Sequence, residues 1–236
     1  TLTNSGTISA DYEYGIYNTD TITTLDNSGT IETLGDDEAI RNTSTGTITT
    51  LTNTGMISAW DDYGIYNEGT ITSLTNSGTI RANNGKFGIG LGGSGSIDTL
   101  TNTGQITSEI GSSGGDPIPG AAIFVGSNSS INTLDNSGTI ETYDGSSVIN
   151  SYGTINNLVN SGTIHSDEDS AVTGGIANIT NTGTISADGW KALGLGSGTL
   201  NNSGTISAGS SDALSMQGDG IVTNSGTISA AGNSGI

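Results

Sequence analysis

Variants of one stretch, Leu2-Thr3-Asn4-Ser5-Gly6-Thr7-Ile8, recur along the whole chain. Each copy keeps an Asn, a Gly two residues later and an Ile four residues later. The Asn residues of the copies are Asn4, Asn27, Asn53, Asn76, Asn102, Asn136, Asn160, Asn181, Asn202 and Asn224, at intervals of 23, 26, 23, 26, 34, 24, 21, 21 and 22 residues. Repeats of about 20 to 50 residues are typical of stacked solenoids. The sequence therefore predicts one repeat array over residues 1–236.

The composition allows a narrow core but not a thick one. Only 31% of the residues are apolar, and 39 of the 236 are Gly. The chain has no Cys, which excludes disulfides and Cys-based zinc sites. Each repeat therefore has to bury a few Ile and Leu side chains against its neighbours, as in other solenoids.

The spacing of the motif predicts strands. Leu2, Asn4 and Ile8 lie an even number of residues apart, so Leu, Asn and Ile are expected on the inner face and Thr and Ser on the outer face. The step of three residues from Ile22 to Leu25 breaks this parity, and we expect a corner there. Gly-rich and Thr-rich segments without a run of helix-forming residues argue against helical repeats.

Together these features predict an all-β fold, a right-handed parallel β-helix (β-solenoid) of about ten coils of 21–26 residues. The coil that begins at Thr99 carries an insertion of about ten residues, 111–120, whose Gly, Ser and Pro content predicts a projecting loop. We expect one solenoid domain over 1–236, cut from a longer repeat array.

Tandem Asn-Ser-Gly-Thr-Ile units with a Leu two residues before the Asn resemble the β-helical passenger regions of bacterial autotransporters, the type V secreted adhesins and related surface proteins. The resemblance extends from Leu2 to Ile228. It implies a β-helix at the bacterial cell surface or in secreted form. It also implies partners among host or bacterial surface proteins and glycans, or self-association.

An inward-facing Asn is unfavourable unless its amide is hydrogen-bonded. When coils stack in register, the amide of one Asn can bond to the amide of the Asn in an adjacent coil. We therefore expect a structural ladder, which includes Asn27, Asn53, Asn76, Asn102, Asn136, Asn160, Asn181 and Asn202.

Carboxylates and aromatic rings gather at one predicted corner in several coils. The acidic residues are interpreted as a solvated row, or alternatively as a Ca²⁺ site, because clustered carboxylates suit this ion. The metal candidates are Asp36, Asp37, Asp61 and Asp62. The candidate ligand-binding aromatics are Tyr12, Tyr14, Tyr17, Trp60, Tyr63 and Tyr66. The alternative is that Tyr17 and Tyr66 only cover the solenoid.

The net charge of −19 argues against nucleic acid and anionic membranes as partners. The chain has no apolar run long enough to span a bilayer, so we expect no membrane segment of its own. We expect no cofactor other than possible Ca²⁺. Enzyme signals are weak: His165 is the single His, and one His cannot build a metal site alone.

The expected function is therefore that of a structural or adhesive passenger domain that mediates cell–cell, host or surface attachment. The alternative is a ligand-binding solenoid that takes a glycan, or ice through Thr-x-Thr rows such as Thr21/Thr23 and Thr47/Thr49. A polysaccharide-active β-helix enzyme ranks third, and we do not expect catalysis.

Overall fold

The computed structural model describes residues 1–84, 86–109, 120–143 and 147–232. Within these ranges every regular element is a β-strand, and every strand pair is parallel. The predicted right-handed parallel β-helix of about ten coils is confirmed. The predicted loop lies outside the described residues, except for Gly120. A helix with the length and apolarity to cross a bilayer is not found in the described ranges.

The described residues form 27 strands. The first nine are β1 (Leu2–Asn4), β2 (Thr7–Ala10), β3 (Ile16–Asn18), β4 (Thr21–Asn27), β5 (Thr30–Thr33), β6 (Ile40–Asn42), β7 (Thr47–Asn53), β8 (Met56–Ala59) and β9 (Ile65–Asn67). The next nine are β10 (Thr70–Asn76), β11 (Thr79–Ala82), β12 (Phe87–Leu91), β13 (Ser96–Asn102), β14 (Gln105–Ser108), β15 (Ala121–Val125), β16 (Ser130–Asn136), β17 (Thr139–Thr142) and β18 (Ile149–Asn160). The last nine are β19 (Thr163–Ser166), β20 (Val172–Asn181), β21 (Thr184–Ala187), β22 (Leu193–Leu195), β23 (Gly198–Asn202), β24 (Thr205–Ala208), β25 (Leu214–Met216), β26 (Gly220–Asn224) and β27 (Thr227–Ala230).

The strands stack in three columns, to which each full coil contributes in turn. The first column contains strands such as β4 and β7, which end in Leu-x-Asn. The second contains Thr-Ile strands such as β5 and β8, and it forms a sheet of 10 strands. The third contains Ile-x-Asn strands such as β3 and β6. The first and third columns belong to one sheet of 17 strands, because β18 and β20 run through both columns.

The chain turns inside the repeated motif rather than where a corner was expected. Asn27 ends β4 in the first column, and Ile31 lies in β5 of the second column. The predicted corner between Ile22 and Leu25 is wrong, because both residues belong to the single strand β4. Pairing with β7 passes from Ile22 to Thr24 and skips the residue between them. Because of this irregularity, the side chains of Ile22 and Leu25 both face the interior although they are three residues apart.

The core is a continuous stack of the repeated apolar positions. Leu25 pairs with Leu51, and Ile31 pairs with Ile57, so like residues lie above one another. All four of these side chains have no exposed surface. The core is narrow, as the composition predicts, and each coil covers the apolar residues of the next.

Candidate functional site

The asparagines of the motif form one ladder along the edge of the first column. The ladder contains Asn4, Asn27, Asn53, Asn76, Asn102, Asn136, Asn160, Asn181, Asn202 and Asn224. Asn76 Nδ2 donates to Asn102 Oδ1 at 2.8 Å, and Asn102 Nδ2 donates to Asn136 Oδ1 at 2.8 Å. Each ladder amide before Asn224 therefore donates to the asparagine of the next coil toward the C-terminus. These buried amides are engaged with each other and with main-chain carbonyls, which gives them a structural role.

The third column contains a second, shorter ladder that the sequence analysis did not identify. Asn18 Nδ2 donates to Asn42 Oδ1 at 2.7 Å, and Asn42 Nδ2 donates to Asn67 Oδ1 at 2.7 Å. The ladder ends at Asn67, because Leu91 occupies the equivalent position in the next coil. The recurring Ile-x-Asn triplet was the signal available in the sequence.

The outer face of the third column carries an aromatic strip, which we define as Tyr14, Tyr17, Tyr63, Tyr66, Phe87, Phe124 and Tyr152. Ring centroids lie 4.9 Å apart in Tyr14–Tyr17, 4.5 Å in Tyr63–Tyr66, 5.2 Å in Tyr63–Phe87, 4.5 Å in Phe87–Phe124 and 5.9 Å in Phe124–Tyr152. These separations are in the range of favourable aromatic pairs. Four of the six predicted aromatics, Tyr14, Tyr17, Tyr63 and Tyr66, therefore belong to the strip. The sequence did not predict its other members, Phe87, Phe124 and Tyr152.

The other two predicted aromatics lie at a different edge, beyond the second column. Trp60 directly follows β8, and Tyr12 lies shortly after β2. Both are exposed, Tyr12 at 83% and Trp60 at 53%. Trp60 N donates to the carbonyl of Thr33, which places Trp60 one coil above the exposed Leu34. The predicted cluster is thus divided between two edges of the solenoid.

Arg41 connects the two tyrosine groups of the strip. It lies between Tyr17 and Tyr66 in the strand register, and its guanidinium is 4.6 Å from the centroid of the Tyr66 ring. Its Nη1 contacts Glu38 Oε1 at 2.7 Å, and its Nη2 contacts Glu68 Oε2 at 2.9 Å. The Glu38 side chain is only 3% exposed, so loss of Arg41 would leave a buried charge unpaired. The cation therefore fixes the strip as well as contributing to its surface.

The hydroxyls of Tyr14, Tyr63 and Tyr66 stay protonated at neutral pH, because burial raises the pKa of each. Burial is the main cause that raises the pKa of Tyr63, and the nearby Asp62 carboxylate raises it further. Burial also raises the pKa of Tyr66, with Glu68 as the next cause. The pKa of Tyr14 is raised by burial and by Asp37. These groups can therefore serve as hydrogen-bond donors to a partner across the neutral range.

The structure does not gather the four carboxylates proposed for Ca²⁺. Within the described residues, no three of Asp36, Asp37, Asp61 and Asp62 have oxygen atoms within 4.8 Å of one another. Asp61 Oδ1 accepts a hydrogen bond from Asn84 Nδ2 at 2.7 Å. Asp62 Oδ1 lies 3.8 Å from Lys86 Nζ, so a cationic side chain already faces it.

Asp62 makes the stability of the chain depend on pH. Burial raises its pKa to about 7, despite the opposing effect of Lys86. Because this value lies above the unfolded value of about 3.9, stability falls as the pH rises from about 4 to about 7. We expect Asp62→Asn to remove most of this fall and to raise the free energy of unfolding at pH 8 by about 1–2 kcal/mol, allowing for solvent screening.

Urea unfolding at pH 5 and pH 8 measures this effect. Asp61→Asn is the matched control, because Asp61 is adjacent in sequence and already has a hydrogen-bond partner. The control should keep the pH dependence of the parent chain. A parent-like fall in stability for Asp62→Asn as well would show that the dependence originates elsewhere.

A groove of about 520 Å³ lies on the later, shorter coils. Its lining includes Thr173, Trp190, Lys191, Ser197 and Gln217. Earlier coils place two or four residues between the strands of the third and first columns, whereas β18 and β20 run straight through this corner. The intervals between the motif asparagines shorten to 21 residues here, but this shortening did not predict a groove.

One aromatic side chain, Trp190, and one cationic side chain, Lys191, line this groove. Trp190 is 55% exposed, and Lys191 Nζ donates to Ser215 Oγ at 3.1 Å. The lining includes Gly174, whose φ of 108° favours a residue without Cβ.

Comparison of the chain with protein-family models, with curated proteins and with solved structures found no match.

Proposed function

We propose that this chain is a structural and adhesive rod, displayed on or released from a bacterial surface, as its resemblance to autotransporter passengers implies. The observation that carries this proposal is the aromatic strip, which follows one side of the solenoid from Tyr14 to Tyr152. Clusters of partly exposed aromatic side chains, here two groups connected by Arg41, are a common feature of recognition sites. Attachment, rather than catalysis, is the role that such a surface supports.

The strip suits adhesion because its tyrosine rings are amphipathic and because its rings pack against one another. Tyr17 and Tyr152 are exposed at 56% and 69%, while Phe87 is buried beneath the neighbouring rings. Fixed rings lose little conformational freedom when they bind a partner. Tyrosine hydroxyls can bond to the polar groups of a protein or a glycan. A second copy of the chain is a further partner, because the same surface can support self-association.

The test compares surface attachment by two sets of variants. We expect a Tyr17→Ala/Tyr152→Ala double variant to reduce retention on bacterial and host-cell surfaces at least about fivefold, in line with aromatic hot spots. Tyr12→Ala is the control, since Tyr12 is 83% exposed but lies outside the strip. Equal retention of all variants would contradict attachment through the strip. Sedimentation of the same proteins distinguishes self-association from attachment to another surface.

A specific glycan binder is the second candidate function, and the groove around Trp190 favours it. An exposed indole can stack on the apolar face of a sugar ring, and Lys191, Ser197 and Gln217 offer hydrogen bonds beside it. A glycan array of the parent chain and Trp190→Ala tests this role. Attachment without binding to any glycan would favour the structural rod.

Ice binding has less support among the outward rows. The row of Thr23, Thr49 and Thr72 gives way to Asp98 and Asn132 in the following coils. Asn132 Nδ2 also donates to Asp98 Oδ1 at 2.9 Å, so the regular threonine surface is short. Measuring ice-growth inhibition tests this alternative.

A further inference from the structure

The solenoid brings two aspartates to the single histidine of the chain. His165 lies in β19, and Asp167 directly follows that strand. Asp188 directly follows β21, one coil further along. One possible ligand atom from each of these three residues lies within 4.8 Å of the other two. His165 is the single His of the sequence and has no metal-ligand pattern around it there, but stacking of the coils supplies the partners.

A hydroxyl outside this group orients the imidazole ring. His165 Nδ1 lies 2.9 Å from Ser186 Oγ, and His165 Nε2 lies 2.8 Å from Asp167 Oδ1. When Nδ1–H donates to Ser186, Nε2 presents its lone pair toward Asp167. Histidine ligands of metal ions commonly have their second ring nitrogen fixed in this way.

The charges around the imidazole favour a cation. The Asp188 carboxylate has no hydrogen-bond or ion-pair partner among the described residues, and Asp167 pairs there only with His165. Glu141 is the register partner of His165 in the preceding coil and accepts a hydrogen bond from the Tyr143 hydroxyl. In the part of the chain that is described, no Lys or Arg contacts these carboxylates.

We propose that His165, Asp167 and Asp188 form a binding site for a divalent transition-metal ion, with zinc as the best fit, that joins two successive coils. One imidazole and two carboxylates are typical zinc ligands, whereas Ca²⁺ and Mg²⁺ prefer oxygen ligands alone. Zinc–ligand distances are about 2.0–2.2 Å. Asp167 and Asp188 are exposed, so rotation of their side chains can bring the ligand atoms from their present separations, within 4.8 Å, to these distances. Three protein ligands leave a fourth position for water or for a group from a partner.

Titration calorimetry with zinc chloride in a non-chelating buffer tests the site on the full chain. We expect one zinc ion per chain, and weaker binding of calcium and magnesium by at least about tenfold. His165→Asn and Asp188→Asn should each weaken zinc binding at least about tenfold, and Ser186→Ala should weaken it about tenfold through the orientation of the ring. Cobalt(II) in place of zinc should give visible absorption bands that depend on His165.

The control is Asp11→Asn, because Asp11 directly follows β2 as Asp167 and Asp188 follow their strands. This variant should bind zinc like the parent chain. Circular dichroism verifies that each variant is folded. The proposal fails if zinc gives no binding heat, if calcium binds equally well, or if folded His165→Asn retains parent-like affinity. It also fails if Asp11→Asn weakens binding as much as Asp188→Asn, since a diffuse acidic surface would then hold the ion.

Discussion

Gly104→Ala is expected to lower the free energy of unfolding by about 3–5 kcal/mol, the largest effect we expect from a single methyl group in this chain. A Cβ at this position would overlap the carbonyl oxygen of Gly78 in the preceding coil and lie 2.6 Å from the carbonyl carbon of Ser77. Both obstacles are backbone atoms that the strand ladders hold in place. The coils cannot move apart there without breaking hydrogen bonds on both sides.

The same obstacle recurs along the array and explains the Gly of the motif. At Gly55, Gly78, Gly138 and Gly162 an added Cβ would likewise meet the carbonyl oxygen of the motif Gly one coil earlier. None of these glycines has a positive φ. Close approach of successive turns, and not an unusual backbone conformation, is therefore what excludes a side chain.

Gly196→Ala is the matched control for Gly104→Ala. A Cβ on Gly196 has no neighbour within 4 Å, and the φ of this residue is not positive. Alanine should leave stability unchanged or raise it by up to about 1 kcal/mol, because it restricts the unfolded chain. Urea unfolding of both variants measures the difference. A small loss at Gly104, comparable to that at Gly196, would show that the coils can separate easily.

Asn102→Ala is expected to lower the free energy of unfolding by about 2–4 kcal/mol. The change removes two interactions in the middle of the ladder. Asn76 Nδ2 loses the acceptor Asn102 Oδ1, and Asn136 Oδ1 loses the donor Asn102 Nδ2. All three residues have no exposed surface, so water does not replace the missing partners without rearrangement.

Asn4→Ala provides the comparison for the ladder prediction. Asn4 bonds to one ladder neighbour, Asn27, through its Nδ2 at 2.8 Å. Its Oδ1 accepts from Gly6 N within the same turn rather than from another coil. We expect a loss of about 1–2 kcal/mol, smaller than for Asn102. Thermal and urea unfolding of both variants give the measurement. Equal shifts in Tm would count against a cooperative ladder.

The copies of the motif predicted the stacking but not the path of the chain within a coil. Period-two spacing correctly assigned Leu, Asn and Ile to the interior. It did not reveal that Ser-Gly is a turn between two columns, because residues on either side of a sharp bend can keep the same parity. The prediction of a corner between Ile22 and Leu25 failed for the converse reason, since an irregular strand can bury residues three apart.

The sequence by itself determined the parallel stack, its narrow core and the positions of the motif asparagines. The motif keeps the same internal spacing in every copy, so like residues come into register and Asn27 lies beside Asn53 once the coils stack. Only the tertiary structure decided which unlike residues lie together, such as Arg41 with Glu68 and His165 with Asp188. It also decided that Trp190 lines a groove. These contacts depend on where each coil turns and on outward positions that vary between copies. A repeat period constrains the buried positions and leaves those outward contacts undetermined.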